Sequence, residues 1–433
     1  MRVLHTADWH IGRSLYGRQR YEEFQAFLDW LVTVIGEYRI DLLLVAGDIF
    51  DTTAPSHRAQ ELYYRFLCRV AASSCRHVVI VAGNHDSPSF LNAPRELLKA
   101  LSVHVVGRAG PPEEELLVLE DPEGSPELLV CAVPYLRDRD LRIAEAGEQV
   151  EEKERKLLEG LRSHYDAVTE LALETRASLG SAVPLIATGH LFAAGGTTID
   201  GDGVRDLYVG TLAQVPAGIF SSSLSYVALG HLHVPQTVGG RERCRYSGSP
   251  LPMGFGEATQ QKSLCLVTFP GAGEDPATRE DQNLSPPVPS IPVPSIPVPS
   301  VELIPVPVFQ RLARLQGDWP ALEEGIRTLA AENQSVWLEV VYEGNSGAGD
   351  LRRRLEELAE GTALEVLRVK NARLAVSGLE RADDEEEPGD LDPQEVFLRC
   401  LALHDVPRDR HSELLRTYRE ALTSLHEADH QAE

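Results

Sequence analysis

From Met1 to about Pro270, short apolar runs alternate with amphipathic stretches. Asp41 to Ala46 and His77 to Ala82 are nearly continuous apolar runs, each closed by glycine. That is the pattern of strands buried on both faces of a sheet. Between them, Tyr21 to Glu37 carries Phe24, Phe27, Leu28, Leu31, Val32 and Ile35 at helical spacing. Leu185 to Phe269 is richer in strands and glycines. The pattern predicts a layered α/β domain over residues 1–270, with helices outside the sheet.

The pattern breaks after Pro270. Residues 271–285 are polar and turn-rich, and Pro286 to Pro307 repeats a Pro-Ser-Ile-Pro-Val unit. Alternating prolines remove backbone donors and hold a chain extended, so 271–307 reads as a semi-rigid linker, or as a Pro-rich ligand for another domain. A smaller α/β unit is expected over 308–382, with strands at Val336 to Val341 and Ala363 to Val369 and a helix from Asp350 to Glu360. Residues 383–390 form an acidic run that reads as a solvated linker. The tail, 391–433, returns to helical spacing. Val396, Phe397, Cys400 and Leu401 make one stripe, and Leu414, Leu415, Tyr418, Leu422 and Leu425 another, with a turn at Pro407 and Asp409. Such a pair must cover its stripes by folding back or by docking on a partner; the linker before it favours the partner.

Composition narrows the class. A chain of 433 residues is long enough for several domains, and 43% apolar residues supply an ample core. The net charge of -25 argues against a chain that coats nucleic acid by itself, though not against an enzyme acting on it. Six scattered cysteines without a C-x-x-C pair read as reduced thiols in a cytosolic setting. The chain opens directly into a strand, with no signal peptide, and no apolar run approaches membrane-spanning length, so a cytoplasmic, nucleoid-associated location is expected.

The chemistry lies in five short polar motifs. In order they are Asp8-Trp9-His10, Gly47-Asp48-Ile49-Phe50-Asp51, Gly83-Asn84-His85-Asp86, Gly189-His190 and Gly230-His231-Leu232-His233. Each follows an apolar run or lies in a Gly-bounded turn, which places it at the carboxyl end of a strand, where α/β sheets gather functional groups. The glycines at 47, 83, 189 and 230 are expected to let the backbone turn sharply. Seven of these side chains offer the oxygen and nitrogen donors that a pair of divalent cations needs. Taken singly, Asp48 and Asn84 could be turn residues, and His231 and His233 one face of a strand. The five together point to a metal centre.

The combination resembles the calcineurin-like metallophosphoesterases, with the pattern D-x-H, G-D-x-x-D, G-N-H-[ED], G-H and G-H-x-H. On that resemblance Asp8, His10, Asp48 and His233 would hold one metal, and Asp48, Asn84, His190 and His231 the second. A shared Asp48 would keep the cations about 3.5–4 Å apart, a clamp for displacement at phosphorus. The mixture of oxygens and imidazoles suits Mn²⁺ and admits Fe²⁺ or Zn²⁺. His85 would be the general acid or charge stabiliser at the leaving oxygen. Asp51 and Asp86 would orient ligand imidazoles.

More specific blocks are His5 to Arg13, Ala46 to Asp51 followed by Pro55-Ser56, Ala82 to Pro88, Tyr226 to His233 and Arg245 to Pro250. These resemble the nuclease subunits of the SbcC–SbcD type. The resemblance implies a metallophosphoesterase sandwich, a capping α/β domain and a C-terminal helical pair that binds an SbcC-type coiled-coil ATPase. It implies a Mn²⁺-dependent homodimeric nuclease, with 3′-to-5′ exonuclease action on double-stranded DNA and endonuclease action on single strands and hairpins. Arg13, Arg18 and Arg20 could hold a DNA backbone, or form an exposed basic loop; His57, read as a loop residue, is a further candidate contact. The rival readings are a small-molecule phosphatase or cyclic-nucleotide phosphodiesterase with the same centre, and a scaffold that has lost its metals. The Pro-Ser-Ile-Pro-Val repeat is no part of the family pattern.

Overall fold

The computed structural model describes residues 1–143, 148–179, 183–197, 215–270, 297–344 and 348–371. In the tail it describes residues 394, 397, 398, 401, 410–412 and 414–419. Most of the proline repeat, the acidic run at 383–390, and Val396, Cys400, Pro407, Asp409, Leu422 and Leu425 lie outside the described residues. The chain divides into two units.

The first unit holds two six-stranded sheets. One runs in the order Ser300–Pro305, Ser263–Thr268, Arg2–Thr6, Leu42–Ala46, His77–Val81, Val103–Val106. Its last four strands are parallel, and the first two join antiparallel. The other runs Gln236–Val238, Arg241–Tyr246, Tyr226–Gly230, Leu185–His190, Pro126–Cys131, Leu116–Glu120. The sheets face each other across one core, in which Val3, Leu42, Leu44, Val79 and Val267 meet Leu128, Val130, Ile186, Tyr226 and Ala228. Being covered on both sides explains the continuous apolar runs. The helix Val150–Leu179 covers the far face of the second sheet through Leu157, Leu161, Tyr165, Val168 and Ala172. The helix Tyr21–Glu37 buries Phe24, Phe27, Leu28, Leu31, Val34 and Ile35. The helix His57–Ala71 buries Leu62, Tyr63, Phe66, Leu67 and Val70, and is capped by Ser56, whose hydroxyl accepts the Ala59 N–H at 3.2 Å.

The second unit is a βαβαβ fold. Its parallel sheet runs Arg311–Gly317, Val336–Tyr342, Leu364–Asn371, with the helices Trp319–Ala331 and Ala348–Ala359 as crossovers. Leu322, Ile326, Leu329, Leu351 and Leu355 pack on Val336, Leu338 and Val340. On the other face Leu312 and Trp337 pack with Leu15 and Phe255. The described tail residues are helical, and Phe397 stacks on Tyr418 with ring centroids 4.1 Å apart.

The layout differs from the sequence expectation in two ways. Ser300–Pro305, read as the end of the Pro-rich linker, is a strand paired residue by residue with Ser263–Thr268. Only Pro305 interrupts it, at the end of an edge strand, where a missing donor is tolerated. Ser14–Arg20 and Gly254–Gln260, expected within 1–270, belong to the second unit. Their apolar residues, Leu15 and Phe255, have their core there.

Candidate metal centre

All five motifs lie at carboxyl ends of strands. The strands end at Thr6, Ala46, Val81, His190 and Gly230, and each motif residue lies at that end or within a few positions beyond it. The first loop shows how the sequence aims its donors. Trp9 is fully buried, edge-on to Phe27 and Phe66 at 6.0 and 5.4 Å. With Trp9 anchored in the helices, Asp8 and His10 on either side join the other motif side chains. Backbone bonds from Asp8 N to Gly47 O (3.0 Å) and from His10 N to Asp48 O (3.0 Å) lock this loop to the second motif.

The backbone is strained at the donors themselves. Asp8, His10, Asp48 and His231 have φ of 55°, 49°, 50° and 100°. Such conformations cost about 1–3 kcal/mol each and persist only where the surroundings impose them. The glycines act differently from the expectation of four sharp turns. Of the four, Gly47 alone has positive φ, at 92°. Gly83, Gly189 and Gly230 are required by close approach: a Cβ would overlap the Asp48 carboxylate at Gly83, crowd the Tyr165 hydroxyl at Gly189 and overlap the Ala46 carbonyl at Gly230.

The side chains converge on Asp48. Its Oδ2 lies 3.6 Å from His10 Nε2 and 3.3 Å from His190 Nε2, and its Oδ1 accepts the His85 N–H at 2.8 Å. His190 Nε2 is also 2.9 Å from Asn84 Oδ1, and its Nδ1 donates to Ala46 O at 2.9 Å. His10 Nε2 lies 3.2 Å from His233 Nε2. Among the described residues three donor groups result, Asp8–His10–His233, Asp8–Asp48–His190 and His10–Asp51–His85, each within 4.8 Å. The His231 ring lies 5.5 Å from that of His190.

Charge and burial suit a cation here. Among the described residues Asp8 Oδ2 and His231 Nε2 are buried without a hydrogen-bond partner, a costly state for a site that is complete without a cation. Burial pushes Asp8 up to about 7, against the pull of His190 and His233. It pushes His10 down to about 3, which leaves a neutral imidazole able to ligate. Burial acts downward on His190 too, but Asp48 beside it overrides this and raises it to about 9. Burial alone would raise Asp48; His190, His85 and His10 hold it well below the usual range. A proton on His190 Nε2, near Asp48 and Asn84, thus stands where a divalent cation could. The residues present fit such a centre.

The neighbours sort by contact. Asp51 Oδ1 lies 3.3 Å from His10 Nδ1 and 3.2 Å from Arg13 Nη1, in line with an orienting role. Asp86 does not match the expectation. Its carboxylate accepts backbone N–H groups of Ile49 (3.2 Å), Phe50 (3.0 Å) and Gly83 (2.8 Å), so it fastens two loops and orients no imidazole. His85 Nδ1 bonds Asp51 O at 2.8 Å, and its ring meets His10 edge-on at 4.8 Å.

Arg13 is taken up by Asp51, whereas Arg18 and Arg20 belong to the second unit. Arg20 is 1% exposed, so a phosphate contact there is ruled out by burial. Arg18 is half-exposed, 3.4 Å from Glu365. His57 is exposed but opens a helix rather than lying in a loop. Sequence reasoning missed Lys262, a buried lysine whose Nζ donates to His233 O at 3.0 Å. Its position before a strand carries no motif.

Comparison with known proteins agrees with this geometry. The calcineurin-like phosphoesterase family matches residues 1–235. A second family, SbcD_C, described as a type 5 capsule protein repressor C-terminal domain, matches residues 308–405. The SbcD subunit of the SbcCD nuclease of Escherichia coli K12 is 34% identical over 99% of this chain and 100% of its own length. The SbcD subunits of Bacillus subtilis and Rhodobacter capsulatus are each 38% identical, over 62% and 63% of this chain and 66% and 67% of their own. With the whole of one relative aligned and the phosphoesterase match spanning all five motifs, the chain belongs to the SbcD family of nuclease subunits, within the calcineurin-like metallophosphoesterases.

Proposed function

We propose that this chain is the nuclease subunit of a DNA end-processing complex, hydrolysing phosphodiesters with two divalent cations, Mn²⁺ before Fe²⁺ or Zn²⁺. One observation carries the reading. The Asp48 carboxylate stands between the His10 and His190 imidazoles, the place of a carboxylate shared by two cations. Asp8, His10, Asp48 and His233 would hold one, and Asp48, Asn84, His190 and His231 the other. The cations would neutralise phosphoryl charge and acidify the attacking water.

The protein's own residues do the rest. Asp51 holds the His10 ring, and Arg13 holds Asp51. The Asp51 carbonyl fixes His85 through Nδ1, so proton exchange with substrate runs through Nε2. As the P–O bond breaks, His85 gives the leaving oxygen a proton from Nε2, and the water oxygen becomes a non-bridging oxygen of the product phosphomonoester, its proton passing to solvent.

The relatives are named as subunits of SbcCD, which supports an SbcC-type ATPase partner and double- and single-stranded DNA as substrates. On this reading the protein is cytoplasmic and homodimeric, cutting duplex ends 3′-to-5′ and single strands and hairpins internally, and the tail at 391–433 docks the partner. Arg18 and His57 are the exposed candidates for DNA contact. Among the described residues no helix is long and apolar enough to cross a membrane. The test compares hydrolysis of linear duplex DNA with that of a small phosphodiester, with Mn²⁺ and the ATPase present. Release of nucleotides from duplex ends is expected; intact DNA beside a hydrolysed small ester would assign the centre to a small-molecule phosphodiesterase.

A further inference from the structure

The backbone carbonyl of His233 accepts two hydrogen bonds from residues later in the chain. The Ser249 N–H donates to it at 3.1 Å, and Lys262 Nζ donates at 3.0 Å. Gly248, at φ 74°, leaves the space, since a Cβ there would lie 2.6 Å from that oxygen. Lys262 is itself fixed, donating to Ser249 Oγ at 3.1 Å, while Ser249 Oγ donates to Leu251 O at 2.9 Å. Lys262 is 3% exposed and His233 2%. A lysine is seldom buried to this extent, and burying its head group costs free energy that its partners must offset. Here it meets the main chain of a metal-donor residue in a loop that follows a strained His231.

We infer that Lys262 is a positioning residue for the metal centre, clamping the His233 main chain so that its imidazole stays beside His10 and Asp8. The inference rests on the proposed two-metal reading. It separates the two cations, because Lys262 reaches the donor set that includes His233, whereas His190 is held independently through Ala46 O. Loss of the clamp therefore weakens one cation and spares the other.

The test is a Mn²⁺ titration of the metal-free full-length chain by calorimetry, with the spin-coupled pair followed by electron paramagnetic resonance. The wild type is expected to take two ions. Lys262→Met keeps the volume and removes the donor; it is expected to bind one ion as the wild type does and the other about 10–100-fold more weakly, as for lost partners of ligand residues. Lys262→Arg restores the donor and is expected to recover part of the affinity. Should Lys262→Met fail to fold, Lys262→Gln, which stays polar but is one bond too short to reach the His233 carbonyl, carries the same comparison. Two ions bound by the variant with wild-type affinity would overturn the positioning role alone. Equal weakening of both, with a lowered Tm, would make Lys262 a structural residue only. A wild type that binds no metal would instead overturn the two-metal reading.

Discussion

His85 and Asp48 share a hydrogen bond yet differ in role, and the difference is readable in their partners. Asp48 faces two imidazoles through one oxygen, whereas His85 is tied to the Asp51 carbonyl and approaches His10 only edge-on. His85→Ala is therefore expected to keep both cations and to lower DNA cleavage by about 10²–10⁴-fold, the range for a lost general acid. Metal analysis and single-turnover cleavage of the same preparation check this; cleavage at the wild-type rate would remove His85 from the mechanism. The seven candidate donors and His85 stand out in sequence, because each lies in a short motif. The role of Asp86 was not, since a carboxylate beside a histidine looks the same in sequence whether it reaches an imidazole or three backbone N–H groups.

At the scale of elements, the centre depends on two sheets coming close at their strand ends. The Tyr226–Gly230 strand runs so near Ala46 that its last residue has no room for a Cβ. Gly230→Ala is expected to force the sheets apart, at a cost of about 1–3 kcal/mol as for other overpacked sites. Chemical denaturation measures the loss, and a Mn²⁺ titration should show weaker binding at His231 and His190 together. Unchanged stability and metal binding would mean that the strands adapt freely. The strands and helices themselves were legible: Tyr21–Glu37 spans the helix that periodicity outlines, and the runs ending at Ala46 and Val81 are strands. Ser300–Pro305 escaped, because the prolines around it set the local pattern while Ser263–Thr268, a strand distant in sequence, supplies the pairing.

For the molecule as a whole, the phosphoesterase unit and the C-terminal unit have separate cores, which makes their contributions separable. In the tail, Phe397 lies flat on Tyr418 and Arg419 bonds Gln394 at 2.9 Å, so two stretches of the tail pack on each other. Deleting residues 391–433 is expected to leave cleavage of short DNA substrates intact and to abolish capture of the SbcC-type ATPase, measured by co-purification and an oligonucleotide assay. A truncated chain that aggregates or loses cleavage would place the tail in the core fold instead.

The sequence by itself determined the kinds of elements, the ends of the strands and the chemistry of the donors. These are local properties, written in periodicity and in short glycine-bounded motifs. Only the tertiary structure decided which donors meet. His190 bonds the Ala46 carbonyl 144 positions away, and Asp8 accepts the His231 N–H 223 positions away. Such approaches follow from how two sheets stack, which no stretch of either sheet encodes alone. The strain at Asp8, His10, Asp48 and His231, the clamp at Lys262 and the grouping of Ser14–Arg20 with the C-terminal unit belong to the same class. Each is fixed by groups far apart in the chain, and each becomes visible only when the core has brought them together.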